Sequence, residues 1–224
     1  MAIAFDASSE NNVAAGTATS THAHTCTGSD LILYIGIAIQ NTSGLSTVTY
    51  NGVSATLVGE VTNGVSDKMH LYRLVAPATG SNNVVVTRVS TTGGMWVKVA
   101  SYTGVDQSSP SDDIDTGSTT GTVTELTITT TPTQNDGWAI FYAANWDGGT
   151  VTAGTGLGAA RASSNLWNRI LDTNATIASG ANSLTAVKPS GVSGFTGVVE
   201  SFKVAGAGGL ANNPHSNLSL MGVS

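Results

Sequence analysis

Short stretches in which apolar and polar residues alternate recur along most of the chain, separated by clusters of Gly, Asn, Asp, Ser and Pro. A period of two places every second side chain on the same face of a β-strand. β-Branched residues are frequent in these stretches, as is typical of strands. The predicted strands cover residues 31–39, 47–50, 53–58, 68–75, 83–89, 94–102, 122–130, 137–144, 166–172, 182–187 and 195–204.

Two of these segments carry specific local signals. Residues 31–39 form a continuous apolar run of strand length, which predicts a central strand with both faces covered. Asn51-Gly52 separates two predicted strands and supplies the positive φ angles that a type I′ hairpin turn requires. With so many short strands, the chain is expected to form an all-β, two-sheet antiparallel sandwich of the jelly-roll kind.

The domain organisation follows from where this pattern ends. The length of 224 residues suits one large sandwich, so we expect residues 1–205 to form a single domain. Residues 206–224 begin with a Gly-rich hinge and continue as a separate C-terminal arm. Its apolar residues are expected to dock onto a partner; they are Leu210, Leu218, Leu220, Met221 and Val223.

Composition and charge exclude several classes of partner. Only 10% of the residues are charged, the formal net charge is −6, and the few Lys and Arg residues are dispersed. Because a nucleic-acid interface needs clustered cations, we expect no nucleic-acid partner. No apolar run approaches the roughly 18 residues of a membrane span, so no membrane partner is expected. The first residues lack a signal-peptide pattern, which predicts synthesis in the cytoplasm of the host cell.

Few side chains suggest metal or thiol chemistry. Cys26 is the only cysteine, so it is expected to be a small buried residue, without a disulfide or a zinc site. His22 and His24 would lie on one face of a strand at metal-binding spacing, but two surface histidines are the favoured interpretation. Residues 106–121 lack apolar periodicity and predict an exposed loop. Its carboxylates suggest weak Ca²⁺ binding as the alternative to no cofactor; they are Asp112, Asp113 and Asp115.

No catalytic constellation is apparent, so a non-enzymatic protein is predicted. Glycoside hydrolysis would need two carboxylates across a groove, and the strand-borne candidates are Glu125 and Glu200. Glu200 alternates with Val198 and Phe202 on an apolar face, where an edge position or a partner such as Lys203 or Arg88 would explain it. No Ser-His-Asp order, nucleophile elbow or phosphate-binding glycine motif is present.

The four tryptophans divide into two classes. Trp96 and Trp138 lie within strongly apolar strands and are predicted to be core residues. Trp146 and Trp167 have polar neighbours, so they are the candidates for contact with a ligand or partner.

Several segments resemble a loosely defined group of β-sandwich proteins from tailed bacteriophages and environmental bacteria, with a fold similar to that of concanavalin-type lectins. They are residues 24–33, 49–53, 71–80, 83–87 and 99–110. The resemblance implies a virion structural protein, such as a capsid decoration or fibre-associated subunit, and carries over no catalytic residue.

Such a subunit would be a homo-oligomer within the virion that contacts the major capsid or tail protein. The alternative is a lectin-like module that binds glycans of the host surface through Trp146 or Trp167. A glycan hydrolase built around Glu200 is the third and least favoured hypothesis.

Overall fold

The computed structural model describes residues 1–41, 44–63, 67–146, 149–162 and 167–206, and all regular secondary structure within these ranges is β-strand. The predicted all-β antiparallel sandwich is confirmed, and it is built of three sheets, one more than the two that were predicted. The predicted arm residues Leu210, Leu218, Leu220, Met221 and Val223 lie outside the described residues. In the described ranges, no helix has the length and hydropathy needed to cross a membrane.

The first nine strands are divided between two sheets. They are β1 (Ala4–Val13), β2 (Thr19–Cys26), β3 (Ile32–Ile39), β4 (Leu45–Tyr50), β5 (Val53–Ser54), β6 (Thr56–Asn63), β7 (Asp67–Val75), β8 (Gly80–Arg88) and β9 (Met95–Thr103). Sheet A has the order β1-β9-β3-β7-β6, and sheet B has the order β2-β8-β4-β5.

The remaining strands form sheet C. They are β10 (Ser111–Thr130), β11 (Trp138–Asn145), β12 (Thr152–Ala153), β13 (Ala159–Arg161), β14 (Asn168–Asp172) and β15 (Asn182–Phe202). The order is β10-β15-β11-β14-β13, with β12 paired to β15.

Sheet A is covered on both faces, which explains the uninterrupted apolar run of its central strand. All eight residues of β3 are buried. Leu33, Ile35 and Ile37 pack against sheet B, whereas Tyr34 and Ala38 pack against sheet C. The prediction of a central strand at residues 31–39 is therefore confirmed, and its alternating residues belong to two different cores.

The Asn51-Gly52 hairpin is also confirmed, with φ angles of 49° and 75° at the two turn residues. Only Val53 and Ser54 pair with β4, however. The chain then crosses to sheet A, where β6 begins at Thr56. The predicted strand 53–58 is thus divided between two sheets.

The prediction of an exposed loop at residues 106–121 is wrong from Ser111 onward. This segment is the first half of β10, which pairs with β15 from Ser111–Phe202 to Thr130–Asn182. The second half of β10 and the first half of β15, which pair with each other, fold back over the outer face of sheet C and enclose a third core, which includes Leu126. A Cβ atom at Gly117 would lie 2.9 Å from Cγ1 of Ile128, so only glycine fits at this position of β10. Because glycine carries no apolar side chain, the alternating pattern that would have predicted a strand is interrupted here.

Glu200 lies on the apolar face of β15, as predicted, and is fully buried between sheets A and C. Its partner is Arg73 of β7, not Lys203 or Arg88. Alternation within β15 places Glu200 inward but carries no information about which residue of another sheet will face it. A second ion pair joins Asp172 to Arg161 at 2.8 Å, and the Tyr102 hydroxyl donates to the same carboxylate.

The direction of β1 defines two ends of the sandwich. Ala4 pairs with Thr103 at one end of sheet A, and Val13 pairs with Met95 at the other, roughly 30 Å away for a strand of ten residues. We call the first the Gly104 end, because Ala2 lies against Gly104 and the Ala205 amide donates to the Gly104 carbonyl at 2.7 Å. The opposite Trp96 end includes the connections 14–18 and 89–94 and residues 40–41, which follow β3.

Candidate functional site

Three of the four tryptophans meet at the Trp96 end. Trp96 lies on β9 of sheet A, whereas Trp146 and Trp167 flank strands of sheet C. The ring centroids of Trp96 and Trp167 are 4.5 Å apart in an edge-to-face arrangement, and those of Trp167 and Trp146 are 5.2 Å apart. The Trp146 indole also donates to the Thr196 hydroxyl at 3.2 Å. The three rings therefore form a packed aromatic row between the two sheets.

This placement changes how the tryptophans are interpreted. Trp138 is a core residue, as predicted, with only 7% of its surface exposed. Trp96 was expected to be core as well but is only partly buried. Trp146 and Trp167 are also partly buried, and Trp167 supports the Trp96 ring. A direct ligand contact by Trp146 or Trp167 stays a prediction. Of the three rings, Trp96 is the one that lines the neighbouring groove.

Trp96 lines an open groove of about 550 Å³. The groove lies among the end of β1, the connection that follows it, the residues after β3 and the loop before β9. Its side chains are an indole, three carboxamides and small residues; the lining consists of Asn12, Val13, Ala14, Ala15, Gln40, Asn41, Thr92, Gly93, Gly94 and Trp96.

Two glycines allow the groove walls to approach each other. A Cβ atom at Gly93 would lie 2.6 Å from the Gln40 carbonyl oxygen, and one at Gly94 would overlap the six-membered ring of Trp96. The Gln40 amide donates to the Gly94 carbonyl at 3.1 Å, and the Gly94 amide donates to the Gln40 side-chain oxygen at 3.3 Å. The sequence Gly93-Gly94 is therefore needed for close packing rather than for turn flexibility.

The side chain of Arg88 connects the loops 14–18 and 89–94. Its side chain is buried, and all three guanidinium nitrogens donate to backbone carbonyls. Nε donates to Thr17 at 2.9 Å, Nη2 donates to Ala14 and Thr17, and Nη1 donates to Gly93. Burial lowers the pKa of Arg88 from its usual value. These bonds fix both loop backbones in one arrangement.

Sequence reasoning missed the structural role of Arg88, although a signal was present. The residues Val84, Val86 and Arg88 alternate along β8, and the two valines are fully buried. Arg88 therefore lies on the inward face at the end of its strand, where an arginine needs several hydrogen-bond acceptors. The pattern does not reveal that these acceptors are carbonyls of other loops.

Two carboxamides frame the indole on either side. Asn12 is exposed and lies directly opposite Trp96 in the β1–β9 pairing, so the two side chains share one face of the sheet. Asn41 has a φ angle of 64°, and its side-chain nitrogen donates to the Thr92 carbonyl at 3.0 Å. Its backbone amide donates to the carboxylate of Asp67 at 3.1 Å. The groove thus offers an aromatic surface beside amide donors and acceptors.

The interpretation of His22 and His24 as surface histidines is wrong, because both face sheet A from β2. His24 is 2% exposed; its Nδ1 is 2.8 Å from the Ser9 hydroxyl and its Nε2 is 3.1 Å from that of Ser101. The Ser101 hydroxyl donates in turn to Asp6 at 2.7 Å. Burial lowers the pKa of His24 to about 4, against the opposing effect of the Asp6 charge.

This histidine network stabilises the contact between sheets A and B, away from the groove. Burial also lowers the pKa of His22 to about 4. Cys26 is buried beside the network, as predicted, and burial raises the pKa of its thiol. No group of three or more His, Cys, Asp and Glu side chains in the described ranges is arranged to hold a metal ion.

The acidic residues that suggested calcium binding bond to the following turn. The Asp112 carboxylate accepts the amides of Thr133 at 2.9 Å and Gln134 at 3.2 Å. Asp113 accepts the Thr131 amide, and this backbone bond lowers the pKa of its carboxyl group. Burial, together with the nearby Asp113 charge, raises the pKa of Asp115. Calcium binding at these residues stays a prediction.

The two carboxylates considered for glycoside hydrolysis are not brought together. Glu125 is exposed on the part of β10 that folds over sheet C. Glu200 is buried on the other face of that sheet in its ion pair with Arg73. They do not face each other across a groove, which a two-carboxylate mechanism requires.

Comparison of the chain with protein-family models, curated proteins and solved structures gives no match. The resemblance to phage β-sandwich proteins therefore stays a prediction. What the structure shows is the all-β sandwich itself.

Proposed function

We propose that this protein is a non-catalytic, lectin-like module that binds a glycan in the groove at the Trp96 end. The observation that carries this proposal is the partly exposed Trp96 indole beside the carboxamides of Asn12, Gln40 and Asn41. The apolar face of a sugar ring packs on an aromatic ring, and carboxamides both donate to and accept from sugar hydroxyls. A concave site with an apolar surface and a few polar groups is typical of small-ligand sites.

Hydrogen bonds join the loops that form the groove, which favours binding. Arg88 fixes the loops 14–18 and 89–94 through backbone carbonyls, and the Gly16 amide donates to the Thr91 carbonyl at 2.8 Å to join the same loops. A site that is ordered before binding loses less conformational entropy when the ligand arrives.

The position of the groove suits a displayed module. Ala2 and Ala205 both lie at Gly104, at the opposite end of sheet A from Trp96. A sandwich attached to a particle through its Gly104 end would present the groove to the outside.

A glycan array probed with the wild-type protein and with Asn12→Ala and Trp96→Ala tests this function. Both variants should bind at least about tenfold more weakly, which corresponds to about 1.4 kcal/mol. Val89→Ser is the control, because Val89 is 74% exposed and lies outside the groove. Trp96→Ala could weaken binding by disturbing the fold. Asn12→Ala changes only an exposed side chain, so it tests the groove without this effect. Failure of the wild-type protein to bind any glycan would refute the proposal.

A second role is compatible with the first, that of a structural subunit of a phage virion. Gly206, the last described residue, lies beside an open cleft lined in part by Met1, Ala2 and Val204. We propose that the arm 206–224 docks onto a neighbouring subunit, so that a homo-oligomer decorates the capsid or joins a tail fibre. Deleting residues 206–224 should then weaken association with the particle and leave the melting temperature unchanged. Unchanged incorporation of the truncated protein would eliminate this role.

A further inference from the structure

We infer that the groove at Trp96 selects uncharged sugars over acidic ones. This inference rests on the glycan-binding function proposed above and names its ligand class. Among the described residues that line the groove, none is ionisable; the polar ones are Asn12, Gln40, Asn41 and Thr92. Sialic acids, uronic acids and sulfated sugars are bound most strongly where a protein offers Arg or Lys to the anionic group.

The cation beneath the groove does not serve this purpose. Arg88 is 3% exposed, and each of its nitrogens already donates to a carbonyl of Ala14, Thr17 or Gly93. The guanidinium group is therefore surrounded by the negative ends of backbone dipoles. It acts as a positioning residue for the loops and presents no anion-binding fork to the groove.

A negative charge lies at the edge of the same groove. The Asp67 carboxylate accepts the backbone amide of Asn41, which lines the groove, at 3.1 Å. The whole chain carries a formal net charge of −6. Both the local and the overall charge oppose the approach of an anionic ligand.

The carboxamides suit hydroxyl groups instead. Asn41 donates to Thr92, and Gln40 accepts from Gly94, and each bond uses only one of several hydrogen-bonding positions of the side chain. Asn12 is exposed beside the indole and can both donate and accept. Sugar hydroxyls have the same dual character, so neutral hexoses or N-acetylhexosamines match the groove.

The test is an array of matched glycans, each neutral oligosaccharide beside its sialylated, sulfated or uronic-acid derivative, followed by titration calorimetry. Neutral glycans should bind at least about tenfold more tightly than their acidic derivatives. Their Kd should change less than about twofold between 50 and 500 mM salt, because screening acts only on charge pairs. Tighter binding of acidic glycans that weakens with salt would overturn the inference and leave the proposed function standing. Binding to no glycan would overturn both.

Two lysine variants sharpen this test. Asn12→Lys places a cation in the groove and should bring the affinity for acidic derivatives to within about threefold of that for the neutral glycans. Ser8→Lys is the matched control, since it adds the same charge to an exposed position of the same strand outside the groove. Equal effects of the two variants would show that the groove does not set the preference, which contradicts the inference.

Discussion

At the Gly104 end of the sandwich, aromatic rings close the core. Trp138 and Phe202 pack on Tyr102 with centroid distances of 6.1 and 5.4 Å, and all three residues are buried. At the Trp96 end, three tryptophans are only partly buried and stand beside an open groove. The same residue type thus seals one end and forms a surface at the other. The residue type alone therefore does not determine whether a tryptophan is fully buried.

The polar interactions of the two ends differ as well. At the Trp96 end, the guanidinium group of Arg88 donates to backbone carbonyls of two loops, and none of these observed bonds is to a carboxylate. Towards the Gly104 end, the neutral His24 bridges two hydroxyls between sheets. Loss of the Arg88 cation should therefore destabilise the Trp96 end, whereas acid should destabilise the part of the fold around His24, towards the Gly104 end.

The largest expected effect is that of Arg88→Met, which leaves the carbonyls of Ala14, Thr17 and Gly93 without their donors. The bond to Gly93 is buried, whereas those to Ala14 and Thr17 are only partly buried. At about 1–3 kcal/mol for the unsatisfied buried carbonyl and about 1.5 kcal/mol for each partly buried bond to a charged group, we expect a loss of about 4 kcal/mol in the free energy of unfolding. Urea denaturation measures this loss. Hydrogen exchange should rise in residues 14–18 and 89–94 and not near Gly104. Lys203→Met is the control, since Lys203 makes an exposed bond to Ser109. Equal destabilisation by both variants would contradict the role of Arg88.

The acid response is the next largest effect. The pKa of His24 is about 4 in the folded protein, below its usual value of 6.5, so the unfolded chain binds more protons between these values. Stability should therefore fall as the pH drops from about 6.5 to 4 and lose no more from this group below pH 4. At about 1.4 kcal/mol for each pKa unit, His24 contributes up to about 3 kcal/mol to this change.

Urea denaturation of the wild-type protein and of His24→Gln at pH 7, 5.5 and 4 measures this contribution. The glutamine keeps a polar side chain but does not titrate, so the variant should lose less stability on acidification. Parallel pH profiles for the two proteins would show that His24 is not the group responsible.

The pair Trp96→Leu and Trp138→Leu separates binding from stability. Trp138 is in the closed core, so its truncation should lower the free energy of unfolding by about 3 kcal/mol and leave glycan affinity unchanged. Trp96→Leu should cost about 1 kcal/mol of stability and raise the Kd about tenfold. Thermal denaturation and calorimetry of both variants provide the comparison. A loss of affinity in Trp138→Leu equal to that in Trp96→Leu would mean that the two ends do not differ in function.

The smallest effect concerns Gly94. In Gly94→Ala the new methyl group would overlap the Trp96 ring and displace it, so we expect a Kd increase of about threefold and a loss of about 1 kcal/mol in the free energy of unfolding. Gly44→Ala is the matched control, because its Cβ would meet only Cγ2 of Val89 at an ordinary 3.8 Å. Calorimetry at one temperature suffices, and equal affinities of the two variants would remove Gly94 from the account of the groove.

The features that the sequence predicts correctly are those that depend on residues close together in the chain. The apolar run of β3 and the positive φ angles of Asn51 and Gly52 are local features, and both are found as expected. The first half of β10 was missed because its strand character comes from pairing with β15, far away in the chain. Its close approach at Gly117 also removes the apolar periodicity.

The groove was missed for a related reason. The strand pattern places Trp96 inward, but the pattern does not show that the end of β1, the residues after β3 and the loop before β9 enclose a groove beside it. The acceptors of Arg88 lie up to 74 residues away in the chain, so no local signal connects them. The role of the arm residues Leu210, Leu218, Leu220, Met221 and Val223 stays a prediction.

The four indole N–H signals of this protein allow the most direct test of glycan binding at the Trp96 end. A ¹⁵N-labelled sample is titrated with a neutral oligosaccharide, and the signals are assigned with single Trp→Phe variants. The largest chemical-shift change should occur at Trp96, with smaller changes at Trp167 and Trp146, which stack behind it. Trp138 at the Gly104 end serves as the internal control and should not shift. A glycan that binds while shifting Trp138 and leaving Trp96 unchanged would contradict the account.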